Sequence, residues 1–301
     1  MAQSSAFRTA GRPVPSRPTP GRAGAQAAQP VAPEGGSSAA FPTPKAARTA
    51  LGREMQHTLR VGWEHLTHLP RVEPDPILLI RAARACWLLD DMDAMCVYYR
   101  EAAVQLGEVV TLTGRRTGTA PDYWRLELGA RWMAATYSAE GRERTADQTA
   151  LRSMGFQVMD TAQRLSQEAG QPLDRMALEM ARLRGAWFGA DPELDRVLAV
   201  TEQRAAAMDT NNRALWAGER DQLTLAALHG LLKERPERMG VPLTQLDEYL
   251  TAQMVRPPTV MDLMDEELLA LQTAAVKAGV RNLSLRSAPR AGSRRTEMGS
   301  G

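Results

Sequence analysis

At 301 residues the chain is long enough to bury a substantial core, and it has no run of about 18 apolar residues, which excludes a membrane-spanning helix. Its formal net charge is +2, but residues 1–42 carry +3 and residues 281–301 carry +4, so subtraction leaves −5 on residues 43–280. An acidic body argues against a nucleic-acid-binding domain, which needs clustered Lys and Arg, and it suits a basic protein partner.

The two terminal segments differ in composition from the rest of the chain. Residues 1–42 contain seven of the nineteen prolines and five glycines, with few apolar residues between them. Such a segment buries too little apolar surface to offset its ordering entropy. We therefore expect a disordered tail over 1–42 and a second, basic disordered tail over 281–301.

The N-terminal sequence and the cysteines indicate the cellular compartment in which the protein is expected. MAQSSAFRTAGRPVPSRPTPG lacks the apolar central region of a secretory signal, which predicts a cytoplasmic protein. The lack of acids before Glu34 is also compatible with an organelle transit peptide, which the density of prolines disfavours. Cys86 and Cys96 have neither metal-ligand nor redox spacing, so we expect reduced, packed thiols.

Between the tails, apolar residues recur at spacings of three and four, which predicts helices rather than strands. A first stripe runs from Pro44 to Leu69 and ends at Pro70. Further helices are predicted over 77–89, 93–112, 123–139, 149–169, 172–187, 192–208, 212–233, 242–254 and 264–278, with the polar segment GRERTADQ as a break before residue 149. About ten helices with short connections predict an all-α domain over 43–280, an irregular stack of antiparallel helical hairpins.

A short pattern recurs after one hundred residues. WLLDDMD at 87–93 and WFGADPE at 187–193 each end a helix with an aromatic residue, turn tightly, and place an Asp at the start of the next helix. The recurrence predicts two hairpins of related structure.

One of these hairpins resembles a known repeat. The segment LLDDMDAMCVYYREAA, Leu88–Ala103, resembles the turn and second helix of a tetratricopeptide repeat in its paired leucines, short acidic turn, paired tyrosines and Ala102. Asp90 stands where the family favours glycine, and hairpins begin forty or more residues apart rather than the regular thirty-four or so. The resemblance implies a tetratricopeptide-like α-solenoid with one repeat-like hairpin.

A second resemblance covers residues 75–285. The order of helices, the W-x-x-x-D turns and the last helix, MDEELLALQTAAVKAGV, resemble the all-helical bacterial immunity proteins that neutralise polymorphic toxins, in particular immunity family 49. This resemblance implies a cytoplasmic protein that binds and blocks a toxin. It assigns no individual site residue.

Motifs of catalysis are scarce. The sequence contains no phosphate-binding loop and no nucleophile elbow, so we expect neither an enzyme nor a cofactor. The segment TLTGRRTGT at 111–119 could hold a phosphate, but its composition is typical of a solvated connection. The alternative of a helical metalloenzyme depends on His57, Glu64 and His68, which share one helix face and would need further ligands.

Two groups of residues are candidates for binding a partner. Acids cluster where two predicted helices begin, at Asp90, Asp91 and Asp93 and at Asp262, Asp265, Glu266 and Glu267. Negative charge is favoured at a helix N-terminus, which explains both clusters, but acids at hairpin tips could also attract a basic protein. The tryptophans occupy positions typical of core anchors, and Trp124 and Trp132 could instead line a groove.

These observations predict a non-enzymatic, cytoplasmic protein-binding domain, and first an immunity protein whose acidic face covers a basic toxin. The alternative is a helical-repeat scaffold or chaperone adaptor whose basic tails dock to a partner.

Overall fold

A computed structural model describes residues 51–68, 75–117, 120–208, 218–233, 235–253, 259–262, 264–280 and 283. Of the predicted tails, only residue 283 lies within this part of the chain. Every regular element in it is helical, with ten α-helices and two short 3₁₀ helices, which confirms the all-α prediction.

The helices agree with the expected order. They are α1 (Gly52–Thr67), α2 (Pro76–Leu88), α3 (Met92–Thr117), α4 (Ala120–Tyr137), α5 (Arg142–Glu168), α6 (Pro172–Gly189), α7 (Leu194–Ala207), α8 (Glu219–Leu232), α9 (Gly240–Ala252) and α10 (Glu266–Lys277). The 3₁₀ helices Pro236–Met239 and Val260–Asp262 precede α9 and α10. Several consecutive helices are joined by only a few residues and pack on each other, which requires antiparallel pairs.

A break does separate α4 from α5, but it covers only residues 138–141, and the prediction that GRERTADQ is non-helical up to residue 148 is wrong, because α5 begins at Arg142. Within this polar segment Asp147 is buried, and its carboxylate accepts hydrogen bonds of 2.9 and 2.7 Å from Nε and Nη2 of Arg100 on α3. Such bidentate pairs are among the strongest side-chain contacts. Because the partner of Asp147 lies on another helix, the spacing of apolar residues in the segment gives no sign that this side chain is buried.

The two related turns have the same geometry. Asp90 and Ala190 are the only described non-glycine residues in the left-handed region, with φ of 61° and 52°. The next N–H, of Asp91 or Asp191, donates to the carbonyl five residues back at 3.0 or 2.9 Å. This bond closes the end of a helix in a Schellman-type turn. The recurrence in sequence is therefore a recurrence in structure.

The last helix, α10, lies in the interior. Eight of its twelve residues are buried. Leu269 packs in a core with α2, α3 and α4, Leu271 in a core with α6 to α9, and Ala270 in a third core between α4, α5 and α6. Contacts of α10 with α4 and α8 depart from a stack in which each hairpin meets only the next.

Helices α5 and α6 approach closely at glycines. A Cβ atom placed on Gly155 would lie 2.5 Å from Cα of Gly189 and 2.6 Å from the carbonyl oxygen of Gly185. Neither contact can be relieved by a side-chain rotation, because both atoms belong to the backbone. The α5–α6 pair therefore requires glycine at position 155.

We expect Gly155→Ala to lower the free energy of unfolding by about 3 kcal/mol, because the two backbones must separate to admit the methyl group. Gly52→Ala is the control, since a Cβ atom there meets nothing within 4 Å, and it should change stability by less than about 1 kcal/mol. Urea denaturation of both variants measures the difference. Equal stabilities would contradict the close approach.

Candidate functional site

The second predicted acidic cluster lies mostly inside the protein. Glu266 and Glu267 are only 4% and 2% exposed, and Asp265 is half-buried. The expectation of an outward acidic surface does not hold for the two glutamates. Asp262 ends a 3₁₀ helix, and its side chain lies outside the described residues.

Glu266 is bonded at both carboxylate oxygens. Arg84 on α2 donates from Nε and Nη2 at 2.8 and 2.7 Å, and the Tyr99 hydroxyl on α3 donates at 2.8 Å. Arg84 also donates to the carbonyl of Met261. A buried charge is tolerated only when it is paired and hydrogen-bonded in this way.

Asp265 and Glu267 are paired with arginines of three further helices. Arg220 on α8 donates to Asp265 at 2.8 Å and to Glu267 at 2.7 Å, Arg125 on α4 lies 3.8 Å from Asp265, and Arg184 on α6 donates to Glu267. Asp265 also caps α10 by accepting from the N–H of Leu268.

These side chains form two adjacent sets of ion pairs, one of Arg84 with Glu266 and one of the other three arginines with Asp221, Asp265 and Glu267, and we call them together the α10 ion network. It consists of Arg84, Arg125, Arg184 and Arg220 with Asp221, Asp265, Glu266 and Glu267. Its four positive and four negative charges cancel, so the −5 of residues 43–280 lies elsewhere. A neutral, mutually satisfied network is suited to holding helices rather than to chemistry.

Two arginines of this network, Arg84 and Arg184, occupy a repeated position in the sequence that could have indicated their burial. Arg84 and Arg184 each stand three residues before the recurring tryptophan, so the pattern R-x-x-W-x-x-x-D occurs twice, one hundred residues apart. An arginine repeated at the same place within apolar helices indicates a buried partner for each. The two partners are Glu266 and Glu267, which are adjacent in sequence.

The first predicted cluster is exposed. Asp90, Asp91 and Asp93 all lie at the surface of the α2–α3 turn. Asp91 accepts a hydrogen bond from the N–H of Ala94 at 3.1 Å and so has a capping role. Because all three side chains are accessible, this turn remains available to a partner.

The outer face of α3 continues from that turn. Asp93, Val97, Glu101, Val104 and Glu108 follow one another at spacings of three and four. Val97 and Val104 are 46% and 49% exposed. We call this the α3 face. It combines three acids with two accessible apolar side chains on one side of the helix.

The two candidate tryptophans do not form one groove. Trp124 is buried in the core between α4, α5 and α6, and it also lines a cavity beside α3. Trp132 is half-buried and meets Tyr137 edge to face, with 6.3 Å between ring centroids. Trp63, expected in the core, is 62% exposed.

In the part of the chain that the structure describes, His57, Glu64 and His68 do not form a metal site. Glu64 is paired with Arg60 at 2.9 Å, and Nδ1 of His68 lies 2.6 Å from the carbonyl oxygen of Glu64. No group of three or more His, Cys, Asp and Glu side chains in the described part of the chain could hold a metal ion.

The cysteines are buried and unpaired, as expected. Burial raises the pKa of Cys86 to about 12 and that of Cys96 to about 11. A thiol that stays protonated near neutral pH is a poor nucleophile.

Comparison with protein-family models, curated proteins and solved structures finds no match to this chain. None of the described helices is both long and apolar enough to cross a membrane.

The α10 ion network should make stability depend on acid pH. Burial raises the pKa of Glu267, but Arg184 and Arg220 outweigh burial and hold it at about 2, and the pKa of Asp265 is likewise lowered by Arg220. A carboxylate with a lowered pKa stabilises the fold above its ordinary pKa and loses that effect as pH falls.

We therefore expect the free energy of unfolding to fall progressively from about pH 5 to about pH 2. Glu267→Gln should make this decline shallower, because one of the coupled carboxylates is gone. Urea denaturation at a series of pH values checks both expectations, and a flat profile over this range would contradict them.

Arg84→Met should cost about 3–5 kcal/mol, because Glu266 would stay buried without its cation. The double variant Arg84→Met with Glu266→Leu should be more stable than the single variant, since no unpaired charge remains. Arg60→Met removes an exposed pair with Glu64 and should change stability by less than about 0.5 kcal/mol. A double variant less stable than Arg84→Met would show that the pair is not the cause.

Proposed function

We propose that this protein is a non-enzymatic binding protein that holds a basic protein partner on its α3 face. The observation that carries the proposal is the α3 face itself, where two half-exposed valines alternate with three acids on one side of a long helix. Apolar side chains supply contact energy when buried by a partner, and the acids select for positive charge.

The distribution of charge supports the same partner. Because the α10 ion network is neutral, the net charge of −5 on residues 43–280 comes from groups outside it. The turn acids Asp90, Asp91 and Asp93 extend the negative charge of the α3 face to the tip of the hairpin. Such a field speeds the encounter with a basic protein at low ionic strength.

The specific form that we propose is an immunity protein, acting in the cytoplasm, which neutralises a bacterial toxin by covering its basic active surface. The resemblance in helix order and in the W-x-x-x-D turns supports this form. Its mechanism is occlusion, which needs no catalytic residue or cofactor.

A second candidate is a scaffold or chaperone adaptor that uses its tails. The +3 of residues 1–42 and the +4 of residues 281–301 favour it, because both segments could attract an acidic partner or nucleic acid. Leu283 packs against the core of α6 to α10 and belongs to the folded body, so a tailless chain should retain residues 43–283.

The test is affinity capture from native lysate with the full chain and two charge-reversal variants. Asp93→Lys with Glu108→Lys alters the α3 face, and Glu168→Lys with Asp174→Lys is the matched control, an exposed Glu and a first-turn Asp on the α5–α6 hairpin rather than on α3. We expect one basic protein to be retained by the native chain and the control and reduced about tenfold or more by the α3 variant.

Moderate salt should weaken the same interaction. Expression of the captured protein alone should arrest growth, and co-expression of the native chain should restore it. Equal capture by both variants would contradict the α3 face. Partners retained by the full chain but lost from residues 43–283 would transfer the function to the tails.

A further inference from the structure

A cavity of about 460 Å³ lies between α3, α4 and α5. Apolar side chains of Trp124, Met154 and Leu165 form part of its wall, and Gln157 and Glu127 add polar groups. Arg131, Thr161 and Arg164 add further polar groups, so the wall is mixed, and a concave site that combines apolar side chains with converging polar groups can hold a small ligand.

Glu127 is the unusual member of this wall. It is only 2% exposed, and Arg131, one turn further along α4, donates to Oε1 from Nε and Nη2 at 3.0 and 2.8 Å. Its other oxygen, Oε2, is buried and accepts no hydrogen bond. Burial raises the pKa of this carboxyl group, and Arg131 offsets only part of that effect.

Other buried acids in the same protein are more fully paired. Glu266 and Glu267 each accept hydrogen bonds at both oxygens. Glu179 also has an oxygen without a hydrogen bond, but Nη1 of Arg182 lies 3.6 Å from it. An unsatisfied buried charged acceptor is costly, so Oε2 of Glu127 marks a position where a donor would be stabilised.

Gly107 on α3 leaves room beside this carboxylate. A Cβ atom at position 107 would lie 3.6 Å from Oε1 and 3.7 Å from Oε2 of Glu127. These are ordinary van der Waals distances, so alanine would fit there without a clash. It would, however, occupy the space next to the unpaired oxygen.

We propose that this cavity binds an alkyl ammonium or guanidinium group, whose N–H donates to Oε2 of Glu127 while its apolar part packs on Trp124 and Met154. Arg131 donates to Oε1 alone, so the second oxygen still lacks a donor, and a charged N–H makes a stronger hydrogen bond to a carboxylate than a neutral one. An indole ring adds a favourable interaction with a cation that approaches its face. The inference does not depend on the proposed partner of the α3 face.

The unpaired oxygen of Glu127 favours a cationic ligand in this cavity over an anionic one. An anion could approach Arg131 and the exposed Arg164, but it would leave Oε2 of Glu127 unpaired and be repelled by it. Arg164 opposes a cation, and its effect distinguishes the two ligand classes. Its replacement should strengthen the binding of a cation and weaken that of an anion.

The test uses the full chain labelled with ¹⁵N and the indole N–H signal of Trp124, which is assigned from its loss in Trp124→Phe. The probes are n-butylammonium and n-butylguanidinium, with n-butanol and butyrate as neutral and anionic comparisons. We expect saturable shifts with the two cations, about tenfold weaker binding of both to Glu127→Gln, and tighter binding to Arg164→Gln.

Two further variants guard against a general loss of structure. Gly107→Ala should fold normally and abolish the shifts, because its methyl group fills the space at Oε2, whereas Gly240→Ala, with nothing within 4 Å of its Cβ atom, should not. Glu179→Gln alters a buried acid that does not line the cavity and should bind as the native chain does.

A titration with N-acetyl-lysine amide separates two sources of the cation. If N-acetyl-lysine amide binds about as tightly as n-butylammonium, the natural ligand is a basic side chain of a protein partner. If N-acetyl-lysine amide does not bind, the natural ligand is a small free amine. Absence of saturable shifts with all cationic probes, or unchanged binding to both Glu127→Gln and Gly107→Ala, would overturn the proposal.

Discussion

Pairing of the α10 carboxylates with arginines from four other helices is the interaction on which the arrangement of this protein depends. Arg84, Arg125, Arg184 and Arg220 come from α2, α4, α6 and α8, and they meet acids at the start of one helix. Desolvation of so many charges is offset only when every partner is in place. The network therefore links α10 to four other helices through ion pairs that all have to form together.

The same network explains how the two related hairpins are joined. Their turns share a left-handed residue, at Asp90 and Ala190, and their first helices carry arginines at equivalent positions. Each arginine binds one of two consecutive glutamates of α10. Leu269, Ala270 and Leu271 of α10 belong to three different apolar cores. The last helix therefore joins these cores to one another, in addition to pairing with the arginines. A strictly sequential solenoid has no such central element.

Local features of the fold could be predicted from the sequence, and long-range pairings could not. Helical periodicity, proline stops and the Asp91 cap depend on neighbours in the chain, so the all-α architecture and most helix bounds follow from them. GRERTADQ reads as a break because Arg100, the partner of Asp147, lies 47 residues away. Glu127 with Arg131 reads as an ordinary surface pair at i and i+4, and only the approach of α3 at Gly107 shows that it is buried beside a cavity.

The position of α10 also has a consequence for biosynthesis. Arg84 precedes its partner Glu266 by 182 residues, so α2 leaves the ribosome long before the acid that neutralises it exists. Domains with such distant contacts fold slowly, because loop closure comes before the gain from the contact. Until residues 265–267 are translated, Arg84, Arg125 and Arg220 lack every acid that pairs with them in the fold, and Arg184 has only Asp221. A nascent chain interrupted before this point would expose basic residues and apolar helix faces together, which makes truncated products natural clients for chaperones or proteases.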